Sequence, residues 1–172
     1  MERVRTAVVG CGVISEVYLQ AFQEKFCVIE LTACSDIDRE KMEHTAKKYG
    51  IRPMQWKGIL EDSSIELVVN LTNPSVHYTL TLQAIEAGKH VFSEKMLAVT
   101  FEEGLELCRQ ADLHQVRLGA APDTFLGGGL QTAADAVRRG LAGEIISGIV
   151  SLTRDYRLLG EILPQDRKST RL

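Results

Sequence analysis

Val8-Val9-Gly10-Cys11-Gly12-Val13-Ile14-Ser15 is the stretch that decides the fold. An apolar β-branched run gives way to two glycines one residue apart, and an amphipathic pattern begins at once. In a GxGxxG turn from strand to helix, the first glycine makes the tight bend and the second lets backbone approach a pyrophosphate. The third lets the helix pack closely on the strand. Serine at position 15 is the smallest polar replacement for that third glycine. An anion at such a turn lies on the helix N-terminus, facing unpaired N–H groups and the positive end of the helix dipole. Gly10, Cys11, Gly12, Val13 and Ile14 are therefore expected to hold the phosphates of a dinucleotide. Taken alone, the same glycines also suit an ordinary strand-to-helix turn, so the surrounding pattern has to decide.

Outward from this loop, Val-, Ile- and Leu-rich runs alternate with amphipathic ones. Arg5 to Val9, Val28 to Cys34, Leu67 to Leu71, His90 to Ser93 and Val116 to Ala120 read as buried strands. Val13 to Lys25, Asp38 to Tyr49, Ser75 to Ala87 and Thr100 to Leu113 carry apolar residues at helical spacing. Gly50 and Gly88 sit where helices stop, and Thr100 with Glu103 makes a capping box. The segment from Gly58 to Glu66 fits either a short helix or a bend. The expected fold class is α/β, a doubly wound parallel sheet of the Rossmann kind, followed by a fragment of a second α/β domain.

The second strand ends beside Asp36, 24 residues after Gly12, where a carboxylate can accept hydrogen bonds from the adenosine ribose hydroxyls. Because it would repel a 2′-phosphate, NAD is expected ahead of NADP as the cofactor. Asp38 is an ordinary helix N-cap. Glu94 and Lys95 fall at the carboxyl end of a strand, the edge where open α/β sheets bind ligands. A lysine there can polarise a substrate oxygen or relay its proton, although a solvated Lys–Glu pair would look the same in sequence.

Taken together, the GCGVIS loop, Asp36, Leu71-Thr72-Asn73-Pro74-Ser75-Val76-His77 and Ala87 to Lys95 resemble the Gfo/Idh/MocA family of dehydrogenases. The likeness runs from about Val4 to Thr153 and includes Ala121-Pro122-Asp123-Thr124-Phe125-Leu126-Gly127 at the crossover between domains. It implies that Thr72, Asn73 and His77 belong to a loop beside the dinucleotide, that Glu94 faces the nicotinamide ribose, and that Lys95 contacts substrate and cofactor as the catalytic residue. It also implies an NAD-dependent oxidoreductase that moves hydride between nicotinamide and a hydroxyl-bearing carbon of a sugar, polyol or related compound. Ser15 and Met96 depart from the family pattern, Met96 standing where proline follows the lysine. A dinucleotide-binding sensor or partner subunit without catalysis is the rival reading. His77 also suits a capping or packing role, and Met42, Met54 and Trp56 read as packing side chains.

The expected domains are residues 1–122, the NAD(P)-binding unit; 123–165, the truncated start of a substrate and oligomerisation domain; and 166–172, a non-native tail. In the second, Leu130 to Arg139 reads as a helix and Glu144 to Thr153 as a strand. The tail Asp166-Arg167-Lys168-Ser169-Thr170-Arg171-Leu172 resembles the in-frame translation of a sequencing-library adapter. On that reading the chain is not competent for turnover by itself, and the full-length protein is a homo-oligomer. Twenty Lys plus Arg against 23 Asp plus Glu give a net charge of −3 without a basic block, which argues against a nucleic-acid partner. The apolar runs are too short for a membrane span, and the N-terminus lacks a signal-peptide pattern, so a cytoplasmic protein is expected. Four cysteines without CxxC spacing argue against a metal site and are expected to be reduced and mostly buried.

Overall fold

The computed structural model describes residues 3–122, 127–149 and 151. The chain divides into two compact units, Met1–Asp123 and Thr124–Leu172.

In the first unit β1 (Val4–Val9), β2 (Ile29–Ser35), β3 (Arg52–Pro53), β4 (Leu67–Asn70), β5 (His90–Ser93) and β6 (Leu118–Ala120) form one sheet in the order 3-2-1-4-5-6. All five pairings are parallel. Between the strands run α1 (Val13–Lys25), α2 (Arg39–Tyr49), α3 (Trp56–Glu61), α4 (Pro74–Glu86) and α5 (Phe101–Leu113). This is the doubly wound order, in which the direction of winding reverses between β1 and β4 and opens a crevice at the carboxyl edge.

The apolar runs are continuous because both faces of the sheet are covered. Alternate residues of β1 and β4 go to opposite sides. Ala7, Val9 and Val68 join Ile59, Ile85 and Leu107 in one core cluster, whereas Val8 and Val69 join Leu19, Cys34 and Met42 in the other. Trp56 and Met54 pack against the first cluster, and the Trp56 indole N–H donates to Gln83 Oε1 at 2.6 Å.

Helix ends follow the chemistry of their residues. Asp38 Oδ1 accepts from the backbone N–H groups of Glu40 and Lys41, and both halves of the Thr100–Glu103 capping box are made. α3 resolves the segment that sequence left open, a six-residue helix with Ile59 as its buried residue. β3, two residues long, is held by its register with β2 and by the Met54 N–H donating to Cys34 O at 2.9 Å.

Two sequence readings are corrected. Cys11 and Cys34 are buried, but Cys27 and Cys108 are exposed, Cys27 in the turn between α1 and β2 and Cys108 on α5 outside the face that buries Leu107 and Ala111. The strand expected over Glu144 to Thr153 is not formed among the described residues: 144–149 and 151 lie in no strand, with Ile146 and Ile149 almost fully exposed. An apolar run becomes a strand only when a neighbour takes up its N–H and C=O groups. Residues 150, 152 and 153, the crossover residues 123–126 and the tail 166–172 lie outside the described residues. In the second unit, α6 (Gly128–Arg138) is capped at Arg139 and followed by Gly140, whose N–H donates to Val137 O.

Candidate dinucleotide site

Parallel strands in near register bring their carboxyl ends to one level. Val9 pairs with Ser35 on one side and Asn70 on the other, and Asn70 pairs with Ser93. The residues that follow these four strand ends are the glycine loop, Asp36, the Thr72–Asn73 loop and Glu94–Lys95. Side chains remote in sequence thus share one edge of the sheet.

Gly10 has φ +96°, and a Cβ there would lie 2.7 Å from both C and O of Leu71 and 2.8 Å from Thr72 N. The loop after β1 and the loop after β4 pack backbone to backbone, which no side chain permits. Gly12 differs, with an ordinary φ of −82° and nothing within 4 Å of a Cβ placed on it. That open space lies at the uncapped N-terminus of α1 beside exposed Val13 and Ile14, where helix N–H groups can meet an anion. Ser15 is 1% exposed, and its hydroxyl donates to Gly12 O at 2.6 Å. The serine thus fills the close helix-to-strand contact and ties down the loop.

Asp36 is partly exposed and fixed by backbone. Its Oδ2 accepts the Cys11 N–H at 2.6 Å and its Oδ1 the Asp38 N–H at 2.8 Å. Each oxygen keeps acceptor capacity for a hydroxyl. Behind the loop a hydrogen bond between the free Cys11 and Cys34 thiols holds Cys11 below and pushes Cys34 well above the usual thiol range. For Cys34, burial acts in the same direction.

On the other side, Asn70 is fully buried at the end of β4 and sets the next loop. Its Oδ1 accepts the Thr72 hydroxyl at 2.6 Å and the Thr72 N–H at 3.3 Å, and its Nδ2 donates to Thr81 Oγ1. Asn73 caps α4 by accepting the Ser75 N–H, with Pro74 at the first helical position. His77 is fully buried with both ring nitrogens on backbone carbonyls, so it bears on a ligand only through the loops it touches. After β5, Glu94 Oε1 accepts the Tyr18 hydroxyl at 2.8 Å and Oε2 accepts the Lys95 N–H at 2.8 Å. Lys95 and Met96 are exposed, and the peptide between them is cis.

Tyr18 and Asn70 are the site residues that sequence reasoning missed. Tyr18 looks like one more apolar position of α1, and no local pattern joins it to Glu94, 76 residues away. Asn70 had a usable signal, a carboxamide at the end of an otherwise apolar strand.

Sheet order, crevice and open glycine define a dinucleotide-binding Rossmann unit of the kind used by oxidoreductases. Residues 4–121 match the profile of the Gfo/Idh/MocA group, described as an oxidoreductase family with an NAD-binding Rossmann fold. The chain belongs to that family.

An uncharacterized oxidoreductase of Schizosaccharomyces pombe is 31% identical over 155 residues, 85% of this chain and 41% of its own length. An inositol 2-dehydrogenase/D-chiro-inositol 3-dehydrogenase of Lactiplantibacillus plantarum is 26% identical over 60% of this chain and 30% of its own. Among solved structures, the WlbA dehydrogenase of Bordetella pertussis, in complex with NADH and UDP-GlcNAcA, superposes with a TM-score of 0.80 at 27% identity. That match covers 84% of this chain and 42% of WlbA. The chain thus spans less than half the length of the relatives it matches.

Proposed function

We propose that this chain is the cofactor-binding part of an NAD-dependent oxidoreductase acting on a hydroxyl-bearing carbon of a sugar, polyol or related compound. The observation that carries the reading is the convergence of four strand-end segments around open space at Gly12. When bound, the dinucleotide supplies the hydride acceptor or donor.

The chain's own groups bind and orient it. Gly10, Cys11, Gly12, Val13 and Ile14 present backbone to the pyrophosphate, and Asp36 takes the adenosine ribose and disfavours a 2′-phosphate. Thr72 and Asn73 line the crevice across from the glycine loop. Glu94, held by Tyr18, faces the nicotinamide ribose, and Lys95 Nζ carries the proton exchanged with the substrate oxygen. The substrate class is supported by the inositol dehydrogenase and the UDP-GlcNAcA-bound WlbA among its relatives.

Calorimetric titration of the chain with NAD and NADP tests the cofactor assignment. NAD is expected to bind more tightly by about 1 to 3 kcal/mol, the scale of one mismatched charged contact, and Asp36→Ala should narrow the gap. Equal affinities in the unmutated chain would overturn it. In a protein that also carries a substrate domain, Lys95→Ala should lower kcat about 10²-fold with NAD affinity within about tenfold. Binding without turnover by the unmutated protein, across sugars and polyols, would favour the sensor reading.

A further inference from the structure

His77 lies near the start of α4 with no exposed surface. Its ring meets two backbone carbonyl oxygens from different loops: Nδ1 lies 2.6 Å from Met96 O, and Nε2 lies 3.0 Å from Thr72 O. Thr72 follows β4 and Met96 follows β5, and those strands are neighbours in the sheet. One stiff aromatic ring therefore bridges two adjacent loops, one bearing Thr72 and Asn73 and the other Glu94 and Lys95.

A histidine retained only for packing needs its ring volume and a single polar partner. Here both nitrogens face main-chain oxygen, and a neutral ring donates to one of the two carbonyls. The ring donates to a carbonyl whichever nitrogen carries the proton, and a doubly protonated ring donates to both. The contacts fall on main chain at both ends, so the ring sets where the two loop backbones run. Side chains farther out on the loops inherit that spacing.

We propose that His77 is a positioning residue for the nicotinamide end of the site: it fixes the gap between the Thr72 carbonyl and the Met96 carbonyl, and thereby the seating of Lys95 against the ring of the cofactor. This inference rests on the dinucleotide reading above. The adenosine end is held by other elements, the glycine loop and Asp36, neither of which hydrogen-bonds the imidazole, and the glycine loop meets the second loop at Leu71 and the Thr72 N–H rather than at the Thr72 carbonyl that the ring faces. Loss of His77 therefore acts on one half of the cofactor.

The test compares NADH with ADP-ribose, the same molecule without its nicotinamide, by calorimetry on the 172-residue chain and its His77→Leu and His77→Gln variants. The parent is expected to prefer NADH. In His77→Leu, ADP-ribose affinity should stay within about twofold while NADH affinity falls about tenfold. His77→Gln should recover part of the loss, because a carboxamide still donates to a carbonyl.

An NADH to ADP-ribose ratio that is the same in parent and His77→Leu overturns the inference and leaves dinucleotide binding intact. A parent that binds neither ligand overturns the dinucleotide reading itself. Should His77→Leu fail to fold, 15N-histidine spectra of the parent decide: the His77 ring signals are expected to move with NADH and stay still with ADP-ribose. Identical responses to the two ligands would refute the proposal.

Discussion

Adding one methyl group at each glycine of the first loop should separate folding from binding. In Gly10→Ala the new Cβ would meet Leu71 C and O at 2.7 Å and Thr72 N at 2.8 Å, all main-chain atoms at the end of a central strand. None can rotate away, so either the loop or the end of β4 must shift. The φ of +96° adds a second cost. A non-glycine residue at positive φ costs about 1 to 2 kcal/mol, and overpacking of a tight contact about 1 to 3 more, so a loss of about 2 to 5 kcal/mol is expected. Gly12→Ala has neither problem, since its φ is −82° and its Cβ position is empty to 4 Å. Its stability should stay within about 0.5 kcal/mol of the parent, whereas NADH affinity falls at least about tenfold because the methyl takes the phosphate's place. Urea unfolding followed by circular dichroism gives the first quantity and calorimetry the second. A Gly10→Ala chain as stable as the parent, or a Gly12→Ala chain that binds NADH normally, would refute the argument.

Tyr18→Phe removes the hydroxyl that holds Glu94 Oε1 and leaves the ring contacts with Phe22 and Phe92. It should cost about 1 kcal/mol in urea unfolding and weaken NADH binding more than binding of ADP, which lacks the nicotinamide ribose that Glu94 faces; an equal effect on both ligands would argue against a link to the nicotinamide side. Asp62 is held at a pKa of about 2 against an ordinary 3.8, first by the Ser64 hydroxyl, then by the Ser64 N–H and Arg52. A carboxylate depressed by folding contributes stability above its unfolded value and loses it as pH falls toward the folded one. The contribution should therefore disappear between 3.8 and about 2, and Asp62→Asn should flatten the stability profile in that window. Lys89, buried with Nζ donating to the carbonyls of Asp62 and Ile65, is pushed below its usual pKa by desolvation. Lys89→Met should lower thermal stability by orphaning both carbonyls, and an unchanged melting temperature would show that water replaces the ammonium.

Local periodicity carried most of the fold into view. α1 occupies Val13–Lys25 and β5 His90–Ser93, the ranges that the apolar spacing marks, and the glycine loop and Asp36 meet at the carboxyl edge of the sheet. Short elements escaped: β3 has two residues, one of them proline, and α3 has six with a glycine among them. The strand expected after Gly143 is not formed among the described residues, because pairing is a property of neighbours, and apolar side chains alone do not provide one. In the site, residues whose roles depend on local backbone were legible, since Gly12 and Asp38 act within a few residues of themselves, whereas the approach of Gly10 to Leu71 and Thr72 was not. Tyr18 on Glu94 and the imidazole of His77 on two loops depend on distances the chain acquires only when folded.

The edge at β3 has a consequence for the company the sheet can keep. In a parallel ladder, alternate residues turn their main-chain groups to opposite sides, and Met54 gives its N–H inward to Cys34 O. The residue turned outward is then Pro53, which has no N–H to give. A stray extended segment approaching this margin would find no donor on β3 to begin a seventh strand, so the absence of a single hydrogen guards the sheet against aggregation from that side.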